Sequence, residues 1–201
     1  MGSGSHQREM KGAGTSALWH CDRHGGGLTL RPARPNVPVT EPTPIIFMLK
    51  PVKKARARAR AGRFVIVASK YNGRYVNAML RAAQATLKQA NAEAIEVVRV
   101  PGAFEIPVVV SHVARRVPRP AAVLCLGVIL RGATTHAQHI GEVVSDALGR
   151  IAVETGVPVI HEVLLLENEQ QARERCLDQK HNRGAEAAQT ALEMGAVVAR
   201  L

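Results

Sequence analysis

Four short stretches carry the residue types that chemistry needs. In Gly132-Ala-Thr-Thr-His136, a glycine, two hydroxyls and an imidazole stand directly before a segment whose apolar residues recur at helical spacing (Ile140, Val143, Val144, Ala147, Leu148, Ile151). Free amides at a helix start, joined by hydroxyls, hold a phosphate, and an imidazole carries protons near neutral pH. The same residues also fit an ordinary capped turn with an exposed histidine. A second stretch, Pro101-Gly-Ala-Phe-Glu105, again sets backbone groups beside a helix start, where a carboxylate is favoured by the dipole. Here too capping by Glu105 and packing by Phe104 would explain the residues. Tyr71, in Lys70-Tyr-Asn-Gly73, can stack on a flat ring or simply face solvent. Arg173, Arg175, Lys180 and Arg183 supply either a solvated helix face or a phosphate grip.

The elements that must position these stretches alternate. Phe64-Val-Ile-Val-Ala68 is a continuous apolar run, the mark of a strand buried on both faces. The pattern predicts a strand over 64–68, a loop over 69–73, and a helix whose stripe is Val76, Leu80, Ala83, Leu87 and Ala90. A strand over 95–100, a helix over 105–117 and a strand over 121–126 follow. The loop 127–136 then leads into a helix over 136–154, and a last strand occupies 156–166. Two helical pieces broken near 181–184 end the chain. Strand and helix in alternation mean a three-layer α/β/α sandwich with a four-stranded parallel sheet. So few strands suit a flavodoxin-like order, with Ile45 to Leu49 as candidate for an added edge strand. In such a sheet the loops after the strands (69–73, 101–105, 127–136 and 161–168) open on one edge, where ligands bind.

Charge divides the chain into two regimes. The net +11 looks like a nucleic-acid signal, but 12 of the 27 Lys and Arg, and only 3 of the 16 acidic residues, fall in residues 1–63. The remainder is nearly neutral. Residues 1–62 hold Gly25-Gly-Gly27, six prolines from Pro32 to Pro51 and the run Lys53-Lys-Ala-Arg-Ala-Arg-Ala-Arg60, too little apolar surface to offset ordering entropy. We expect a largely disordered basic extension over 1–62 and one folded domain over 63–201. The extension reads as a solvated leader, as an organellar transit peptide, or as an arm that contacts polyanions; a nucleic-acid-binding module rests on it alone. No run of about 18 apolar residues exists, so a spanning helix is excluded. Cys21, Cys125 and Cys176 are scattered and lack metal spacing, which argues for a reducing compartment. A cytoplasmic location is the expectation.

Taken jointly, the motifs resemble a known family. Val100-Pro-Gly-Ala-Phe-Glu-Ile-Pro107, Leu126-Gly127 with Arg131-Gly-Ala-Thr-Thr-His136, and Glu167-Asn168 followed by Asn182-Arg-Gly184 and Ala191-Leu-Glu-Met194 are similar to the lumazine synthases, from about Arg63 to the carboxyl end. The resemblance implies condensation of 5-amino-6-(D-ribitylamino)uracil with 3,4-dihydroxy-2-butanone 4-phosphate, without metal or cofactor. It implies His136 as the proton-transfer residue and Gly132, Ala133, Thr134 and Thr135 as the loop facing phosphate. Arg175 is implied to pair with that phosphate from a neighbouring subunit. Tyr71, Asn72, Gly102, Ala103, Phe104, Glu105, Val128 and Ile129 are implied to hold the aminouracil and its ribityl chain.

Two departures stand out. His161 occupies a place where the family commonly offers an aromatic from the neighbouring subunit, so a smaller ring faces the heterocycle. The basic, glycine-rich stretch usual after the arginine is here Cys176-Leu-Asp-Gln-Lys-His-Asn-Arg183, and no phosphate role is given to Lys180. The resemblance further implies a homopentamer with sites at subunit interfaces, in many members a sixty-subunit shell, with riboflavin synthase as a candidate partner. The departures keep open a flavin- or lumazine-binding or shell-forming relative with weak catalysis.

Overall fold

The computed structural model describes residues 62–201. In chain order they form β1 (Arg63–Ser69), α1 (Gly73–Gln89), β2 (Ala94–Val100), α2 (Ile106–Ala114), β3 (Ala122–Leu130), α3 (His136–Thr155), β4 (Val159–Leu166), α4 (Glu169–Cys176) and α5 (Arg183–Val198). The expected edge strand at 45–49, and the extension apart from Gly62, lie outside the described residues. All four strands pair in parallel, in the order β2-β1-β3-β4. This is the flavodoxin-like order, with helices on both faces.

Burial on both faces explains the unbroken apolar runs. Phe64, Ile66 and Ala68 of β1 and Leu124 and Leu126 of β3 face the layer of α1, α4 and α5, where they meet Val76, Met79, Leu87 and Leu192. Val65, Val67 and Val123 face α2 and α3, against Ile106, Val110, Val144 and Leu148. Each fully buried Ile or Leu in these sets stabilises the fold by roughly 1.5–3 kcal/mol relative to exposure. Two asparagines close the joints of the first layer. Asn168 Oδ1 accepts from Gln171 N at 3.0 Å to cap α4, and Asn182 Oδ1 accepts from Gly184 N at 2.9 Å to cap α5. A Cβ at Gly184 would lie 2.0 Å from the Met79 carbonyl oxygen, so only glycine lets α5 approach α1 this closely.

Three expectations are corrected. The third strand does not stop at 126: it runs to Leu130, pairing with β4 through Leu130 and Leu166. The loop is therefore 131–135, and Gly127, Val128 and Ile129 belong to the sheet. Gly127 was expected to open the loop, yet its role is packing, because a Cβ there would stand 3.1 Å from Val163 Cγ1 and 3.4 Å from Ile106 Cδ1. α2 ends at Ala114 rather than 117, since a residue before proline, here Val117 before Pro118, is pushed out of helical geometry. In α3, Val143 is exposed rather than core.

Candidate active site

The sheet order reverses between β1 and β3, and there the loops part to leave a cleft of about 960 Å³. Its walls are the β1–α1 turn, the β2–α2 loop, the end of β3 and the first two turns of α3. Of the residues expected in a site, Tyr71, Asn72, Gly102, Ala103, Phe104, Glu105, Val128, Ile129, Gly132, Thr134 and His136 line this one cleft. Ala133 and Thr135 belong to the same loop but do not line it.

The β1–α1 turn is stitched to its neighbours. Tyr71 N donates to Pro101 O at 3.1 Å, and Lys70 N to Val100 O at 2.8 Å. Asn72 sits in the left-handed region (φ 52°) and its Nδ2 donates to Val128 O at 2.8 Å, so one proton of that amide serves the scaffold. Asparagine tolerates that backbone better than most residues. Tyr71, 76% exposed, and Phe104, 58% exposed, stand as open ring faces at the mouth.

In the β2–α2 loop, Gly102 N donates to Glu105 Oε2 at 2.8 Å. A Cβ on Gly102 would lie 2.8 Å from that same oxygen, so the glycine is what lets the carboxylate fold back over the loop. Oε1 of Glu105 is left without a partner among the described residues, an acceptor for hydroxyl groups of a ligand.

The start of α3 differs from the starts of α4 and α5. Thr135 precedes it without a side-chain cap bond, and no hydrogen bond among the described residues engages the hydroxyl of Thr134 or Thr135. Of the two readings left open by the sequence, the capped turn is absent. The first-turn amides, which no helix can satisfy internally, stand beside these hydroxyls and the His136 imidazole. Yet among the described residues the cleft lining contains no Lys or Arg, and its one carboxylate is Glu105. Arg131, nearest in sequence, is paired with Glu167 at 2.8 Å. Cationic charge for a phosphate must come from outside this lining.

Neither His161 nor Arg175 lines the cleft of its own chain. His161 lies on β4, on the side facing α3, and partial burial lowers its pKa below the usual histidine value. Arg175 is exposed on α4. Between them, Glu162 turns to the other layer, where Arg183 holds its oxygens at 3.0 and 3.1 Å while burial pushes its pKa up to about 7. His139, one turn beyond His136, also lines the cleft, with Ile140 and Val143. The sequence signal was present in the spacing of His136 and His139, but the apolar stripe alongside read as core.

The family model for 6,7-dimethyl-8-ribityllumazine synthase matches residues 61–199. The 6,7-dimethyl-8-ribityllumazine synthase of Xylella fastidiosa (strain 9a5c) is 38% identical over 146 residues, 72% of this chain and 94% of that protein. The protein of the same name from Xanthomonas campestris pv. campestris (strain B100) is 38% identical over 139 residues, 68% of this chain and 90% of its own length. Among solved structures, a de novo designed Rossmann fold protein covers 56% of this chain with a TM-score of 0.33 and 18% identity, too loose a likeness to carry an argument.

Proposed function

The chain belongs to the 6,7-dimethyl-8-ribityllumazine synthase family, and on that premise we propose that the cleft at the β1–β3 switch point is one half of its active site. The enzyme is a transferase of riboflavin biosynthesis: it condenses 5-amino-6-(D-ribitylamino)uracil with 3,4-dihydroxy-2-butanone 4-phosphate, releasing the lumazine, phosphate and water. The reading of the chain as a ligand-binding or shell-forming relative with weak catalysis is not favoured, since the matched relatives are named for the enzyme.

The observation that carries the assignment is the uncapped start of α3 beside His136 in a cleft that, among the described residues, is lined by no Lys or Arg. The amides and hydroxyls of Gly132 to Thr135 receive the butanone phosphate, and Arg175 of a neighbouring copy supplies the missing positive charge. Glu105 Oε1 accepts from ribityl hydroxyls. Gly102, Ala103 and Phe104 flank that chain, while Val128 and Ile129 form the pyrimidine side. Tyr71 covers the ring, Asn72 holds the turn in place, and His161 of the neighbouring copy closes the other face. His136 moves protons through imine formation, loss of phosphate, ring closure and dehydration. Most of the acceleration comes from holding two reactants in register, with acid and base assistance added.

Members of this family are generally oligomeric, and a shared site requires a closed ring of copies, for which a pentamer is the form we propose. The catalytic unit is 63–201, with 1–62 an extension. No helix among the described residues is long and apolar enough to cross a membrane, and the two described cysteines are free and buried; we place the enzyme in a reducing compartment, the cytoplasm. Incubating the purified chain with both substrates tests the assignment. Lumazine absorbance should grow with time; no turnover at micromolar enzyme overturns it.

A further inference from the structure

The His161 ring is held at both nitrogens. Val163 N–H donates to its Nδ1 at 3.3 Å, and its Nε2 stands 2.9 Å from Ser145 Oγ on α3. Ser145 Oγ in turn donates to the Gly141 carbonyl at 2.7 Å. A hydroxyl has one proton, and here Gly141 takes it, so Ser145 Oγ can only accept from Nε2–H. Nδ1 faces an N–H group and must be bare. The neutral tautomer with its proton on Nε2 satisfies both ends of the ring. A proton added at Nδ1 would meet the Val163 N–H head on. With partners on opposite sides, the ring cannot turn about its own axis without breaking both bonds, and a ring end left exposed stays in one plane.

We propose that Ser145 is a positioning residue for the condensation: through the Ser145–His161–Val163 chain it fixes the plane and tautomer of the His161 ring, so that a small imidazole can act as a flat neutral wall for the aminouracil. This rests on the assignment of His161 to a neighbouring copy's cleft. The sequence departs from the family's aromatic at position 161, and a ring of smaller area stacks weakly when it is free to rotate. Immobilising it in advance removes the entropy that ligand binding would otherwise lose. Ser145 is exposed on α3, does not line the cleft of its own chain, and instead faces the groove between α3 and β4 beside Gly141 and Val163.

The test pairs kinetics with histidine nitrogen spectra of 15N-histidine-labelled protein, the His161 signals being assigned by their loss in His161→Asn. Ser145→Ala should raise the KM for the aminouracil about fivefold, the factor one neutral hydrogen bond of ordinary worth amounts to. The kcat and the KM for the butanone phosphate should stay within about twofold. The His161 nitrogens should move from the values of a single Nε2–H tautomer toward averaged ones. Ser145→Thr, which keeps the hydroxyl, should restore both readouts. If His161→Ala raises the aminouracil KM while Ser145→Ala changes neither KM nor spectrum, the positioning role is wrong. If His161→Ala itself leaves that KM unchanged, the assignment of His161 to the site fails first, and the role of Ser145 falls with it.

Discussion

Asn72 combines a backbone and a side-chain duty that two substitutions separate. Its φ of 52° is the left-handed region, and its Nδ2 ties the β1–α1 turn to Val128 O at 2.8 Å. Asn72→Ala loses the hydrogen bond, about 1 kcal/mol, and puts a side chain with no local compensation in left-handed geometry, about 1 kcal/mol more. Asn72→Gly loses the bond but adopts that geometry freely. Urea unfolding at one fixed protein concentration should therefore rank wild type above Asn72→Gly by about 1 kcal/mol and above Asn72→Ala by about 2 kcal/mol. Helix propensity alone would put alanine ahead of glycine. Both variants release the turn from β3, so both should raise the aminouracil KM by a similar factor, about fivefold. Equal stability of the two variants would refute the backbone argument, and a wild-type KM in Asn72→Gly would refute the claim that this stitch shapes the cleft.

Other outcomes follow from single distances. Gly184→Ala drives a Cβ to within 2.0 Å of the Met79 carbonyl and should cost about 3 kcal/mol or more, or leave the chain insoluble; thermal melting decides. Gly102→Ala should displace the Glu105 carboxylate, 2.8 Å from the new methyl, and raise the aminouracil KM about tenfold with the butanone phosphate KM unmoved. Arg175→Ala should do the reverse, raising the butanone phosphate KM at least about tenfold; a rise for the aminouracil instead would contradict the phosphate assignment. Burial lowers the pKa of His161, so the unfolded chain binds the proton first as pH falls. The stability this histidine contributes is whole above about pH 6.5, the free value, and fades as pH drops through the lower folded value. His161→Gln should remove that fading, read as the difference in unfolding free energy between the two proteins across pH.

Much of the fold was legible because burial on both faces of a parallel sheet leaves no alternation to misread. The runs at Phe64 to Ala68 and Ala122 to Leu126 announced central strands, and β1 and β3 are where they belong. What failed was the reading of glycine and of apolar stripes. Gly127 was placed at the start of a loop, but the crowding by Ile106 and Val163 that demands it comes from elements 21 and 36 residues away, which local sequence does not register. Val143 fitted the helical stripe of α3, although it is exposed and lines the cleft. His139 was hidden for the same reason. Asn168 and Asn182 were noticed within motifs, and their role as caps needed the helices to be placed. In α1 the expected stripe holds, with Val76, Ala83 and Leu87 fully buried and Leu80 and Ala90 packed against the same core, and Tyr75 and Met79 widen it.

A site divided between two copies of the chain is measured directly by complementation. His136→Ala and Arg175→Ala, each of low activity alone, are co-expressed in equal amounts and purified together through different tags. In a closed ring with one-way interfaces, about a quarter of the clefts then pair an intact His136 with an intact Arg175 from the neighbour. Lumazine should then form at about a quarter of the wild-type rate per chain. Activity no higher than the mean of the two variants assembled separately would contradict it.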